Sequence, residues 1–152
     1  MLRTILVTLF AATVVTSAAL SAQAPAATST PLLDANTATE AQLAMVPHLS
    51  AGLTKTIVSR RPFKSITELD ALLTPTLSRA QITEVYGRVF VRVDLNTGTD
   101  AEILLIPGLG NRMLREFKEY RPYKAIDQFQ REIGKYVSKE EVARLERYVV
   151  IK

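Results

Sequence analysis

Displaced by 60 residues, the chain aligns with itself, and 32–91 falls on 92–151 without a gap. Leu33-Asp34-Ala35-Asn36-Thr37-Ala38-Thr39 lies on Val93-Asp94-Leu95-Asn96-Thr97-Gly98-Thr99, and Val46-Pro47-His48-Leu49 on Ile106-Pro107-Gly108-Leu109. Arg61-Pro62-Phe63-Lys64 lies on Arg121-Pro122-Tyr123-Lys124, and Val89-Phe90-Val91 on Val149-Val150-Ile151. A period of this length marks one supersecondary unit used twice. Whatever the chain folds into must therefore close within a single copy and then be repeated.

Each copy carries the same helix signals. A Ser or Thr followed three residues later by Glu or Gln is a capping box, in which each partner satisfies the other's orphan backbone donor. The pattern occurs at Thr39/Gln42, Ser65/Glu68, Ser78/Gln81, Thr99/Glu102 and Ser138/Glu141. Apolar spacing near 3.6 then predicts helices at 40–45, 51–60, 66–73 and 79–87, and at 100–105, 111–120, 126–133 and 139–147. Pro62 and Pro122 separate the first helix pair of each copy from the second. Residues 89–93 and 149–151 read as short extended ends. Helices this short are marginal alone, so four must share a core. The first core draws on Leu43, Val46, Ile57, Phe63, Leu69, Leu72, Ile82 and Val85. The second draws on Ile103, Ile106, Phe117, Tyr123, Phe129, Ile133, Val142 and Leu145. The low aromatic share, 7% with no Trp, also favours small helical units over one thick core.

There is no cysteine, which excludes a disulfide framework, a thiolate metal site, a cysteine nucleophile and a lipoprotein leader. Met1-Leu2-Arg3, an apolar run from Ile5 to Val15 and small residues ending in Ala22-Gln23-Ala24 read as a secretory signal peptide over 1–24. Cleavage is expected after Ala22 or Ala24, which makes the mature protein periplasmic or extracellular. The competing reading is a retained anchor from Leu2 to Ala22, since about 20 apolar residues can cross a bilayer. A membrane is a partner only in that case. Residues 25–31, Pro-Ala-Ala-Thr-Ser-Thr-Pro, have the composition of a flexible linker. The formal charge of +4 includes Arg3 of the leader. A balance this mildly basic permits nucleic-acid binding without demanding it.

Between the predicted helices at 100–105 and 111–120 stands Ile106-Pro107-Gly108-Leu109-Gly110-Asn111-Arg112. A Gly-apolar-Gly turn lets the chain reverse sharply, because glycine accepts positive φ. It also leaves the first amides of the following helix uncovered, and such amides, backed by the helix dipole, can hold a phosphate oxygen. With Arg112 and Arg115 in the next turn, this is the sequence form of a helix-hairpin-helix, which grips a nucleic-acid backbone without reading bases.

The order Asn-Thr-x-Thr, apolar-Pro-Gly-Leu-Gly, Tyr-Arg-Pro-Tyr-Lys and a last helix ending in Tyr-Val-Val-Ile resembles the DNA-binding domain of ComEA-type competence receptors. It is also similar to the PsbU-like domain, which uses a related fold for protein contacts. The resemblance covers nearly the whole mature chain, once per copy, and the second copy matches more closely. It implies an all-α fold of two tandem four-helix units, each built from two helix-hairpin-helix motifs (SAM/RuvA domain 2-like). The domains are then 32–91, in degenerate form, and 92–152. The four hairpins fall at 48–50, 76–78, 108–110 and 136–138, and only the third reads Gly-Leu-Gly. The others are His48-Leu49-Ser50, Thr76-Leu77-Ser78 and Tyr136-Val137-Ser138, whose serines suit helix N-caps. The phosphate-binding role therefore carries over to Gly108, Leu109, Gly110, Asn111, Arg112 and Arg115.

Each of these residues also has a plainer reading. The glycines fit a tight turn with no ligand. Arg112 and Arg115 fit a solvated surface, ion-paired to Glu116 or Glu119. Arg61 and Arg121 fit cations that satisfy helix-terminal carbonyls. Tyr120, Tyr123, Tyr136 and Tyr148 fit core or junction positions better than base-stacking platforms. His48, the only histidine, fills a turn rather than ligating a metal, and the carboxylates are dispersed. No catalytic residue, metal or cofactor is expected, and the chain is not expected to be an enzyme. The function expected is non-sequence-specific DNA binding outside the cytoplasm, with a role in DNA uptake. The alternative is a structural or protein-interaction module of the same fold that has lost DNA binding, with a protein partner or a homo-oligomer as its target.

Overall fold

The computed structural model describes residues 31–152. The expected leader at 1–24 and residues 25–30 of the expected linker lie outside the described residues. The chain runs β1 (Leu33–Asp34), α1 (Glu40–Ala44), α2 (Ala51–Ser59), α3 (Ile66–Leu73), α4 (Arg79–Tyr86) and β2 (Val89–Phe90). The same order then recurs as β3 (Val93–Asp94), α5 (Asp100–Leu104), α6 (Asn111–Glu119), α7 (Ile126–Ile133), α8 (Lys139–Glu146) and β4 (Val149–Val150). The described residues are mostly helical, and all eight predicted helices form to within a residue of their expected ends. No helix among the described residues is long and apolar enough to cross a membrane.

Three of the five expected capping boxes close reciprocally, at Thr39/Gln42, Ser78/Gln81 and Thr99/Glu102. The other two do not. Ser138 accepts from the Glu141 amide, but the Glu141 carboxylate turns to Arg144. Ser65 makes no cap bond; its hydroxyl meets Thr67, and Glu68 instead accepts from the Lys64 amide at 2.8 Å. A carboxylate that finds a stronger donor nearby leaves the weaker one to water.

The core follows the expected positions with one correction. Leu72 is only partly buried, and Leu73 takes the inward place, fully buried beneath Leu69. Both spacings satisfy a helical stripe; the repeat distinguishes them, because Leu73 corresponds to buried Ile133 and Leu72 to Glu132. A second correction concerns the extended ends. The segment 33–34, not expected to be extended, pairs in parallel with 89–90, and 93–94, of which only Val93 lay in the expected extended end 89–93, pairs in parallel with 149–150. The registers are Leu33 with Val89 and Val93 with Val149. Each half is thus closed by a ladder joining its own first and last residues. The halves also pack together, with α3 against α5 and the Phe90 ring edge-on to Tyr148 at 4.9 Å.

A side-chain clamp, present twice, holds the loops that the helices cannot hold. Asn36 Nδ2 donates to the Phe63 carbonyl at 3.0 Å while its Oδ1 accepts from the Phe63 amide at 2.7 Å. Asn96 does the same to Tyr123, at 3.0 and 2.7 Å. Beside it, Arg61 donates to the carbonyls of Ala35 and Ala38, both at 2.6 Å, and Arg121 to those of Leu95 and Gly98 at 2.6 and 2.7 Å. These arginines therefore do have a structural role, but toward the turn that opens each half and not toward the end of their own helix. Gly98 belongs to the clamp: a Cβ there would fall 2.6 Å from the Asp94 carbonyl oxygen and 2.3 Å from Val93.

The tyrosines sit where apolar packing and hydroxyl chemistry meet. Tyr86 donates to Asp70 at 2.8 Å, and Tyr120 and Tyr136 share a hydrogen bond of 2.7 Å. The Tyr123 hydroxyl, buried where the first half has Phe63, has no hydrogen-bond partner among the described residues. Burial first, then the bond to Asp70, pushes the Tyr86 phenol far above its usual range, and burial does the same to Tyr123. For Tyr136 the bond to Tyr120 leads, followed by Glu116 and burial.

Two predictions follow from these contacts. Asn96→Ala strands both the amide and the carbonyl of Tyr123, and should lower the urea-unfolding free energy by about 2–4 kcal/mol. Asn111→Ala, at an exposed position, should change it by less than about 0.5 kcal/mol, and equal effects would remove the clamp from its central place. On the alkaline side, the folded phenols keep protons that an unfolded chain releases near pH ~10, so stability is intact below that value and falls above it. Tyrosinate absorbance from these three rings should rise only together with loss of the helical dichroism signal. Ionisation of all five tyrosines with helicity intact would contradict this.

Candidate nucleic-acid interface

The α5–α6 turn brings the expected residues to one exposed edge. Gly108 has φ 76°, a left-handed conformation that a side chain rarely adopts. Gly110 is different: it is the N-cap of α6 at φ −104°, ordinary extended backbone open to any residue. The turn requires glycine at 108 and not at 110. What Gly110 provides is space, since a Cβ there would meet nothing within 4 Å. No side chain caps α6, and the first bond of the helix runs from Leu114 to the Gly110 carbonyl. Among the described residues the amides of Asn111, Arg112 and Met113 have no acceptor, as the first amides of a helix have none unless capped. Leu109 is buried and anchors the turn from below. Its amide donates to the Ile106 carbonyl at 3.0 Å, so in this turn both its side chain and its N–H are already engaged.

Arg112 and Arg115 are exposed on the first turns of α6, with Leu114 and Phe117 facing the core. Neither arginine pairs with Glu116 or Glu119 among the described residues. Lys118, one turn further, is paired to Asp100 at 2.7 Å. The free cations therefore lie close to the uncapped amides and the paired one lies away from them.

One cation near the turn was not expected from the sequence. The guanidinium of Arg144, on α8, lies 3.5 Å from where a Cβ of Gly108 would stand. Glu141 holds it in a two-pronged pair at 2.7 and 2.6 Å, and it lies over the Tyr148 ring at 5.7 Å. The bond to Glu141 holds the Arg144 pKa above its ordinary value and the Glu141 carboxyl below its own. Arg144 thus places a guanidinium, paired to Glu141, at the lip of the turn, 36 residues along the chain from Gly108.

The first half shows what the same place looks like without these features. Position 48, equivalent to Gly108, is His48, held at φ 69°. Position 84, equivalent to Arg144, is Glu84, whose carboxylate meets His48 Nε2 at 2.8 Å. Ser50, equivalent to Gly110, accepts from the Leu53 amide with its side chain. A carboxylate, an imidazole and a hydroxyl stand where the second half has a guanidinium, free space and bare amides. The signal was present in the sequence, because positions 48 and 84 change together between the two copies.

The turns at 76–78 and 136–138 both have serine-capped following helices, with Ser78 accepting from Gln81 and Ser138 from Glu141. Among the described residues no group of three His, Cys, Asp or Glu side chains could hold a metal ion. Set against protein families, curated proteins and solved structures, the chain matches none.

Proposed function

We propose that this is an exported protein whose second half binds a nucleic-acid phosphate backbone through a helix-hairpin-helix formed by α5 and α6, as in the ComEA-type receptors it resembles. Both halves would be tandem units of that kind, the first having lost the grip. The observation that carries the reading is the paired exchange between the halves, His48 with Glu84 against Gly108 with Arg144. A turn needed only for structure has no reason to gain a cation at its lip and lose a side-chain cap. Bare amides at Asn111 and Arg112 would take one phosphate oxygen, and Arg112, Arg115 and Arg144 would flank the neighbouring phosphates. None of these groups can distinguish one base from another, so the complex would be indifferent to sequence. Export rests on the leader read in residues 1–24, and a role in DNA uptake on the resemblance.

A second reading, a protein-interaction module of the same fold, is favoured by the first half, where the His48–Glu84 pair closes the turn. A titration of the purified protein with a short fluorescent duplex at several salt concentrations separates the two. On the order of two to three phosphate contacts give a slope of log K on log salt of about −2 to −3. Arg112→Glu with Arg115→Glu, both exposed and unpaired, should reduce affinity at least about tenfold with helicity and melting unchanged. Equal binding by wild type and variant would exclude this turn as the contact, and no binding at low salt would leave the interaction module.

The comparison of the halves also supplies a gain-of-function test. His48→Gly with Glu84→Arg gives the first turn the glycine and the guanidinium of the second while keeping the Ser50 cap, and should steepen the salt slope by about one unit. The same pair of changes relieves a left-handed histidine, which costs about 1–2 kcal/mol, so melting should rise rather than fall. An unchanged slope in a folded variant would show that these two positions do not determine the grip.

A further inference from the structure

The cations of the second half are not confined to the α5–α6 turn. Arg92, between β2 and β3, Lys124, two residues ahead of α7, and Arg147, the C-cap of α8, border one groove of about 660 Å³. The parallel ladder brings the two arginines together. The Val93 amide donates to the Tyr148 carbonyl at 2.9 Å, so Arg92 and Arg147, distant in the chain, arrive at the same end of β3 and β4. Arg92 and Lys124 are exposed and Arg147 is half-exposed. Among the described residues none of the three side chains has a hydrogen bond or an ion pair. One carboxylate, Glu146, borders the groove, and Gln130 Nε2 on α7 donates to it at 2.8 Å. Three cations against one anion around a cleft raise its potential and concentrate anions there.

Each cation has a plainer use, since Lys124 can be solvated surface and Arg147 can offset the dipole of the helix it closes. The first half shows that the fold does not need the two arginines. The equivalents of Arg92 and Arg147 are Leu32 and Gly87, and Gly87 closes α4 without a charge. Only Lys124 has a basic counterpart, Lys64. Arg92 and Arg147 thus occur in the same half that has Gly108 and Arg144 in place of His48 and Glu84.

Arg147 also joins the groove to the turn. With Arg144 it borders a second depression, of about 270 Å³, and Ala143 borders both. Arg144 in turn stands 3.5 Å from the Cβ position of Gly108. A path from Gly108 to Arg144, Arg147 and the groove therefore crosses α8 at its smallest side chain, Ala143, where the first half has Thr83. Two further carboxylates lie near this path: Glu141 is committed to Arg144, and Glu140 stands in the first turn of α8.

We infer that the Arg92–Lys124–Arg147 groove is a second phosphate site for nucleic acid, and that a strand held at the α5–α6 turn runs across Ala143 into it. The choice of nucleic acid as the ligand rests on the function proposed above; the unpaired cations and the path do not. Contacts of this kind fix the position of a strand and read no bases.

Fluorescence titration with a duplex of about 20 base pairs over a range of salt tests this. The groove variant carries Arg92→Gln, Lys124→Gln and Arg147→Gln, and the turn variant Arg112→Glu and Arg115→Glu. A control carries Lys55→Gln, Arg60→Gln and Lys64→Gln, exposed cations of the first half, and so removes the same charge as the groove variant. The groove variant should bind at least about tenfold more weakly than wild type at low salt. Its slope of log K on log salt should be shallower by about two units, with helicity and melting unchanged. The control should shift affinity by less than about threefold, because charges away from the contact are screened. Equal losses in the groove variant and the control would reduce the effect to net charge and overturn the inference. A groove variant that binds as wild type does would overturn it and leave the turn in place. Loss in the groove variant with none in the turn variant would keep the groove and remove the contact proposed at α5–α6. No binding by wild type at low salt would overturn both.

Discussion

Helices of five to nine residues cannot stand on their own hydrogen bonds, and here they do not lie in the long antiparallel pairs that would let side-chain packing alone fix them. What fixes them is an amide clasp. Asn36 and Asn96 each offer one donor and one acceptor to the carbonyl and the N–H of a single residue 27 positions away, a pairing that the side-chain amide of asparagine presents at both ends at once. The Asp34 and Asp94 carboxylates accept from the asparagine amides at 2.8 and 2.7 Å and so set the asparagine in position. Arg61 and Arg121 then neutralise carbonyls of the same turn. The first turn, the Arg-Pro segment between helix pairs and the two-residue ladder become one rigid block, against which the short helices need only contribute apolar faces.

With the scaffold held from inside, the outside is free to diverge. The two halves keep the clamping asparagine and arginine side chains and differ at the turns 48–50 and 108–110. Positions 48 and 84 of the first half both differ from their equivalents 108 and 144 in the second. Even the interior has shifted where it nears the surface. Thr56, Arg60 and Thr76 of the first half become Glu116, Tyr120 and Tyr136, and Phe63 becomes Tyr123. The second half has thereby acquired hydroxyls and a carboxylate in a half-buried setting, one phenol of which has no partner. Lys135 joins this group from outside, bonded to Glu132 and lying over the Tyr120 ring at 5.2 Å. Polar groups gathered this way fix a surface more firmly than apolar ones, because each lost bond leaves another group unsatisfied.

Helix ends were legible because prolines and side-chain caps act within four residues, and the repeat was legible because it is gapless. The core was legible except where two neighbours, Leu72 and Leu73, both fit the helical spacing. The parallel ladder was not, since two residues are too few to show alternation and their partners lie 56 residues away. The same limit hid the targets of Arg61 and Arg121 and the approach of Arg144 to Gly108. Local pattern can say that an arginine is well placed at a helix end; it cannot say that a turn 26 residues earlier will come to meet it. Comparing the copies with each other reaches further than pattern does, because two copies on one scaffold must solve the same contacts. Read that way, Gly108 with Arg144 against His48 with Glu84 is a long-range contact written in the sequence.

The Arg144–Glu141 pair also bounds what the turn can do. A guanidinium held by two bonds to a carboxylate is already charge-compensated, so a phosphate arriving at Gly108 meets a dipole and not a bare cation. Its outward edge still offers donors, because a guanidinium has five and Glu141 uses two. Each such contact replaces condensed counterions whose release is worth less as salt rises. If the turn contacts nucleic acid as proposed, one turn of this kind supplies a weak, salt-sensitive hold that no base sequence can improve. Useful affinity must come from number: several turns on one backbone, each contributing little, with the local concentration of the second set by the first.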